Sequence, residues 1–317
     1  MKNRYSTFCS IVFATLSFIV LLSSPAKAHP WGGLVIDSEG NLYFTFICPF
    51  VDDDHYACVW KIDTNQELSE VLKSQRSPSD IILSSSPGRN IYAAERNGYS
   101  PNFTNTLWEI QGSEVSILIS PNRNQDVFFI QAYAVSDNGT IYFAKENQLF
   151  ERVSNGKISE VKLGKDLGNI RLLEVGNNGE LYIMNSSDLY VKTGDNLRLI
   201  APGLKKEDPE NIPFRGANIF FDIAIDKNDN IYLAYYGNRK VIRISLAGEI
   251  QTILESQAPW SPHGVDVIDG EVYVLESTLG NGKWWKFWEK EDDEIIPRIR
   301  KVDNDGEITE LFRYSSD

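Results

Sequence analysis

Apolar and polar positions alternate in short runs along almost all of the chain after residue 30, and the pattern is clearest over residues 220–254. There Phe221-Asp222-Ile223-Ala224-Ile225-Asp226 is followed by Asn230-Ile231-Tyr232-Leu233-Ala234, then Val241-Ile242-Arg243-Ile244, then Ile250-Gln251-Thr252-Ile253-Leu254. Each run is rich in β-branched and aromatic residues. Asp, Asn or Gly at the ends of the runs supply tight turns, so the pattern predicts four short strands in a meander. So short a meander cannot bury both of its faces alone and needs copies of itself to pack against.

The copies are visible in the second strand. An aliphatic-Tyr pair followed by a mostly apolar residue recurs at Tyr43, Tyr92, Tyr142, Tyr182, Tyr232 and Tyr273, spanning 230 residues in five steps of 40 to 50. Four strands per unit at this period are the signature of propeller blades. The predicted fold is therefore all-β, a six-bladed β-propeller of four-stranded blades filling 29–317 as one domain. The first repeat begins with its first strand and the last ends with its fourth, so ring closure is expected to rest on packing of blade one against blade six.

The first 28 residues read differently. Lys2 and Arg4 precede an apolar run over 11–22, and Ala26-Lys27-Ala28 has the small-x-small form of a signal-peptidase site. The expectation is a secreted or periplasmic protein whose mature chain begins at His29 and keeps no transmembrane segment. Cleavage removes three cations and no acid, taking the formal charge from −13 to −16. That surface repels phosphates, and no basic stripe interleaved with aromatics occurs, so nucleic acid is not an expected partner. Cys9 leaves with the leader. Cys48 and Cys58 then flank one hairpin loop in an exported chain, which favours a disulfide between them.

Three insertions depart from the repeat. The loop inside the cysteine pair carries Asp52-Asp53-Asp54-His55, without the ladder and distal Glu of a calcium loop, and reads as solvated acid. Residues 201–216 hold three prolines and form a long interblade connection. Within the last blade, 278–297 contains Trp284, Trp285, Phe287 and Trp288. These four aromatics form either a local cap or a surface that grips a sugar, a membrane face or a protein partner.

Propellers gather the starts of their first strands around one mouth of the central axis, so polar residues there converge from distant parts of the chain. The repeat brings Asp80, Gln131, Arg171, Asp222 and His263 to that mouth, with Glu174 and Asp266 further along their strands. Such a set suits a small ligand. As catalytic candidates, Asp222 and His263 would hold a metal and activate water while Arg171 steadies an oxyanion. The structural alternative is that Asp80 and Asp222 bond backbone amides of the next blade. No nucleophile elbow, P-loop, Rossmann glycine set or His-Glu-x-x-His occurs.

The unit in which an apolar-Ala-apolar-Asp strand precedes Asn-Ile-Tyr-Leu-Ala at 230–234, with Val-Ile-Arg-Ile at 241–244, resembles NHL repeats and the wider gluconolactonase-like group of six-bladed propellers. Ser261-Pro262-His263-Gly264-Val265 with Tyr273-Val274-Leu275-Glu276 looks like the last blade of bacterial secreted NHL proteins. The resemblance runs from about residue 31 to 312. It implies binding of a small molecule or a protein partner, or alternatively a metal-dependent lactonase or esterase-type hydrolase holding a divalent cation such as calcium. In that group a Glu, an Asn and an Asp at the starts of first strands hold the cation. Here Trp31-Gly32-Gly33 offers no Glu, and Asp222 sits one place later than the family's Asp.

Overall fold

The computed structural model describes residues 33–47, 56–74, 79–97, 104–122, 132–145, 147–205, 220–278 and 296–314. Outside them lie the expected leader, Cys48, the acidic loop at 52–55, Gln131, most of the long interblade connection and the tryptophans of the last-blade insertion.

The described residues form six four-stranded antiparallel sheets, each built from four consecutive strands, and no helix. Blade one comprises β1 (Leu34–Ile36), β2 (Leu42–Ile47), β3 (Ala57–Ile62) and β4 (Leu68–Lys73). Blade two comprises β5 (Ser79–Ser85), β6 (Ile91–Asn97), β7 (Thr104–Gln111) and β8 (Glu114–Asn122). The third holds β9 (Tyr133–Val135), β10 (Ile141–Lys145), β11 (Gln148–Arg152) and β12 (Ile158–Glu160), and the fourth β13 (Leu172–Val175), β14 (Leu181–Met184), β15 (Leu189–Thr193) and β16 (Asn196–Ala201). Blade five runs through β17 (Phe220–Ile225), β18 (Ile231–Tyr235), β19 (Lys240–Ile244) and β20 (Ile250–Glu255). Blade six runs through β21 (Trp260–Ile268), β22 (Glu271–Thr278), β23 (Pro297–Val302) and β24 (Ile308–Arg313).

The repeated tyrosine sets one register for all six sheets. Tyr43 lies opposite Val35, Tyr92 opposite Ser84, Tyr142 opposite Ala134, Tyr182 opposite Glu174, Tyr232 opposite Ala224 and Tyr273 opposite Asp266. Strand alternation gives each sheet two apolar faces, and consecutive blades bury them against each other. The cluster of Tyr182, Met184 and Leu189 with Phe220, Ile223 and Leu233 seals blades four and five. That of Leu34, Ile36, Phe44 and Ile62 with Leu275 and Ile299 seals one and six, so the ring closes without strand exchange.

Two boundaries differ from the sequence pattern. Residues 95–105 form a largely polar run without apolar alternation, yet β6 continues to Asn97 and β7 starts at Thr104. Buried Glu95 stays in the ladder because its carboxylate accepts a hydrogen bond from Trp108 Nε1 at 3.2 Å. Blade six begins at Trp260, just ahead of the Ser261–Val265 run, because a bulge between Pro262 and Gly264 lets β21 resume pairing after His263.

Candidate functional site

The first strand of each blade lies at one edge of its sheet, so its outer row of amides has no ladder partner. Two carboxylates answer those amides around the axis. Asp222, on β17, accepts from Val265 N–H at 2.9 Å, Ile223 N–H at 3.0 Å and Leu34 N–H at 3.4 Å, joining blade five to blades six and one. Asp266, on β21, accepts from Val267 N–H at 2.7 Å and Ile36 N–H at 2.8 Å, joining six to one. Asp266 also takes a salt bridge at 2.7 Å from Arg89, which reaches over from the first turn of blade two. The second arm of the same guanidinium donates to the Val267 carbonyl.

Glu174 occupies the level of Asp266 two blades away around the ring. Among the described residues its carboxyl has no hydrogen-bond or ion-pair partner. Burial pushes it well above the usual carboxylate range; Asp266 and Asp222 add to the rise and Arg89 opposes it. Burial likewise pushes Asp222 up to about 8, against the pull of its three amide bonds. Asp222 and Glu174 retain some surface, but only toward the narrow axial space.

That space widens where the first strands end. A cavity of about 390 Å³ is lined there by Ser85 and Arg89 of blade two, Glu174 and Asn177 of blade four, Asp226 and Asn228 of blade five, and Asp266 and Asp269 of blade six. A second space of about 20 Å³ continues along the axis between Ser84, Glu174, Asp222 and Asp266. The mouth of the basin is fixed by tight turns. Asp226 accepts from Asn228 N–H and Asn230 N–H at 2.8 and 2.9 Å, while Asn177 Nδ2 donates to the Asp226 carbonyl at 2.9 Å.

The residues expected at the other mouth are spread over several levels. Asp222 pairs with Ala234, two places beyond Tyr232, whereas Asp80 pairs with Arg96, four places beyond Tyr92, and so lies nearer the entrance. Arg171 is half-buried, and burial lowers its pKa. His263 is 1% exposed, both of its ring nitrogens lack a hydrogen-bond partner among the described residues, and burial lowers it to about 4.

The acid that acts on His263 is Glu276 of β22, not Asp222. Glu276 is fully buried and clamped by Arg298 Nε at 2.8 Å and Arg300 Nη2 at 2.7 Å, and it accepts from the Ser256 hydroxyl. Arg298 in turn stacks on Trp260, 3.9 Å from the ring centroid. A divalent cation shared by Asp222 and His263 does not fit this donor set. The Asp222 oxygens are engaged by amides, and among the described residues no three His, Cys, Asp or Glu side chains converge in a way that could hold a metal ion.

Sequence reasoning placed Glu174 and Asp266 deeper along the axis but did not find Arg89 or the Glu276 network. An arginine in a turn reads as solvent-exposed. The only signal for the network was the alternation of Arg298 and Arg300 along one face of a strand opposite an acid.

No protein-family model matches the sequence, and no curated protein matches it. Solved structures do. A streptogramin B lyase structure is 15% identical, with 93% of this chain and 86% of that chain covered at a TM-score of 0.54. TolB from Acinetobacter baumannii is 14% identical, with 87% of this chain and 63% of TolB covered, at 0.54. An auxiliary nutrient binding protein from Bacteroides thetaiotaomicron is 11% identical, with 79% and 67% covered, at 0.51. At these identities the likeness establishes the propeller fold alone.

Proposed function

We propose that the mature chain is an exported, NHL-like propeller that binds a small polar molecule in the axial basin where the first strands end. The observation that carries the reading is the cavity of about 390 Å³, into which polar side chains converge from blades two, four, five and six. Its size suits a metabolite, and tight turns preform its rim, so little ordering is needed on binding. The same fold serves a lyase and a nutrient binding protein among its structural neighbours, so the fold itself decides no chemistry. The reading includes removal of residues 1–28 and a Cys48–Cys58 bridge.

Thermal-shift screening of the mature protein against polar metabolites tests it. Stabilising compounds are expected, and their effect should vanish in Asn177→Trp, which fills the rim of the basin, while surviving in Arg171→Ala at the opposite mouth. The reverse pattern would move the site to Asp80, Arg171 and His263. Turnover of lactones or aryl esters with added Ca²⁺, Mn²⁺ or Zn²⁺ would replace binding by hydrolysis.

A further inference from the structure

The chemistry of the basin narrows its ligand. Every acid in it except one is already engaged by the protein. Asp266 is shared among Arg89 and two amides. Asp226 is occupied by the turn amides of Asn228 and Asn230 and by Asn230 Nδ2. Asp269 lies 3.8 Å from Lys227 Nζ. Glu174 alone, enclosed at the level of the Asp266–Arg89 pair and lining both the basin and the narrower space behind it, has no partner among the described residues.

An unpaired, half-buried carboxyl carries a desolvation cost that a cation of the right reach would offset. The lining acids Glu174, Asp226, Asp266 and Asp269 outnumber the cations Arg89 and Lys227, so the field in the cavity favours positive charge. The remaining lining divides between hydroxyls and amides, such as Ser85, Asn177 and Asn304, and apolar side chains, such as Val175 and Ile225, which suits a hydroxylated ring with an apolar face.

We infer that the basin binds a small hydroxylated amine, of the amino-sugar class, with its ammonium on Glu174. This rests on the basin being the binding site. Binding of an ammonium requires an ionised Glu174, and burial, which raises this carboxyl, works against that ionisation. The groups that face it are Asp266 on β21, Asp222 on β17, Arg89 in the blade-two turn and Tyr133 on β9. The two acids oppose that ionisation, Arg89 assists it, and Tyr133 is occupied in donating to the Ile82 and Tyr92 carbonyls.

Calorimetry with glucosamine, glucose and gluconate, three compounds of one skeleton and different charge, tests the assignment on the mature protein. Glucosamine should bind about tenfold or more tightly than the other two. Below the raised Glu174 pKa its affinity should fall about tenfold per pH unit. Glu174→Gln should abolish the preference, and Glu174→Asp, which retracts the carboxyl by one methylene, should retain part of it. Should either variant fail to fold, the charge preference and pH slope of the unmodified protein decide alone. Equal or tighter binding of glucose or gluconate, sensitive to Asn177→Trp, would overturn the amine and leave the basin standing. Failure of all three probes, together with a screen empty of basin ligands, would remove both.

Discussion

Asp222 is pulled in two directions: burial raises its carboxyl and three amide bonds lower it, and burial wins, leaving it at about 8. In the unfolded chain it would titrate near 3.9, so between these values the folded state holds one proton more. Stability conferred by that proton is complete below about 4 and is lost as pH rises toward 8, at up to about 1.4 kcal/mol per pH unit. Asp222→Asn should remove that slope from urea midpoints measured between pH 4 and 8, and also lower stability at pH 5 by about 1–3 kcal/mol, because one amide oxygen replaces two carboxyl oxygens. Parallel curves for the two proteins would mean that the amides outweigh burial. His263 works the other way. Its folded value of about 4 lies below the ordinary 6.5, so its contribution is present above 6.5 and lost as pH falls toward 4. His263→Phe should therefore hold its stability better through that window. The proposed Cys48–Cys58 bridge makes a further residue-scale prediction: intact masses of exported protein with and without reductant should differ by two hydrogens, and two free thiols would overturn it. Asp222 and His263 were legible as first-strand positions because the tyrosine register fixes where each first strand begins. What they touch was not, since the acid that acts on His263 comes from the neighbouring strand and the amides bound by Asp222 belong to blades six and one.

Between elements, the spacing of the first strands is set where side chains are missing. A methyl on Gly264 would lie 3.0 Å from the Cβ atoms of both Leu34 and Leu275, and one on Gly33 would lie 2.8 Å from the backbone nitrogen of Leu83. The Gly264 contacts, which include the Leu34 backbone nitrogen at 3.1 Å, need β1 to give by a few tenths of an ångström, whereas the closer approach of Gly33 to the Leu83 nitrogen needs a larger shift of β5. Gly264→Ala should cost about 1–3 kcal/mol in urea unfolding, and Gly33→Ala more. Equal, small losses would mean that the first strands slide past each other freely. Strand number and register were legible because apolar alternation and the tyrosine repeat report the faces that blades bury against each other. Strand ends were less so. The Glu95–Trp108 hydrogen bond and the bulge at His263 keep polar residues inside the ladder, and no alternation of apolar positions announces either.

At the scale of the whole ring, closure rests on a seam between its terminal blades that no covalent bond or exchanged strand among the described residues crosses. Apolar packing of Leu34, Ile36 and Phe44 on Leu275 and Ile299 supplies one part of it. Asp266 supplies the other, because a single carboxylate gathers the Ile36 amide of blade one and the Arg89 guanidinium of blade two onto blade six. Removing it strands a half-buried cation and an edge amide at once, so Asp266→Ala should destabilise by about 3–5 kcal/mol. The loss should be partly recovered in the Arg89→Ala/Asp266→Ala pair, because the second change removes the unpaired charge. Native-state hydrogen exchange separates this from a general weakening of the fold. If the carboxylate holds the seam, the Ile36 amide should exchange faster in Asp266→Ala by a larger factor than amides of β13 and β14, half a ring away. A uniform acceleration across all six blades would show instead that the apolar cluster closes the ring unaided, with the Asp266–Arg89 pair serving only the basin it lines.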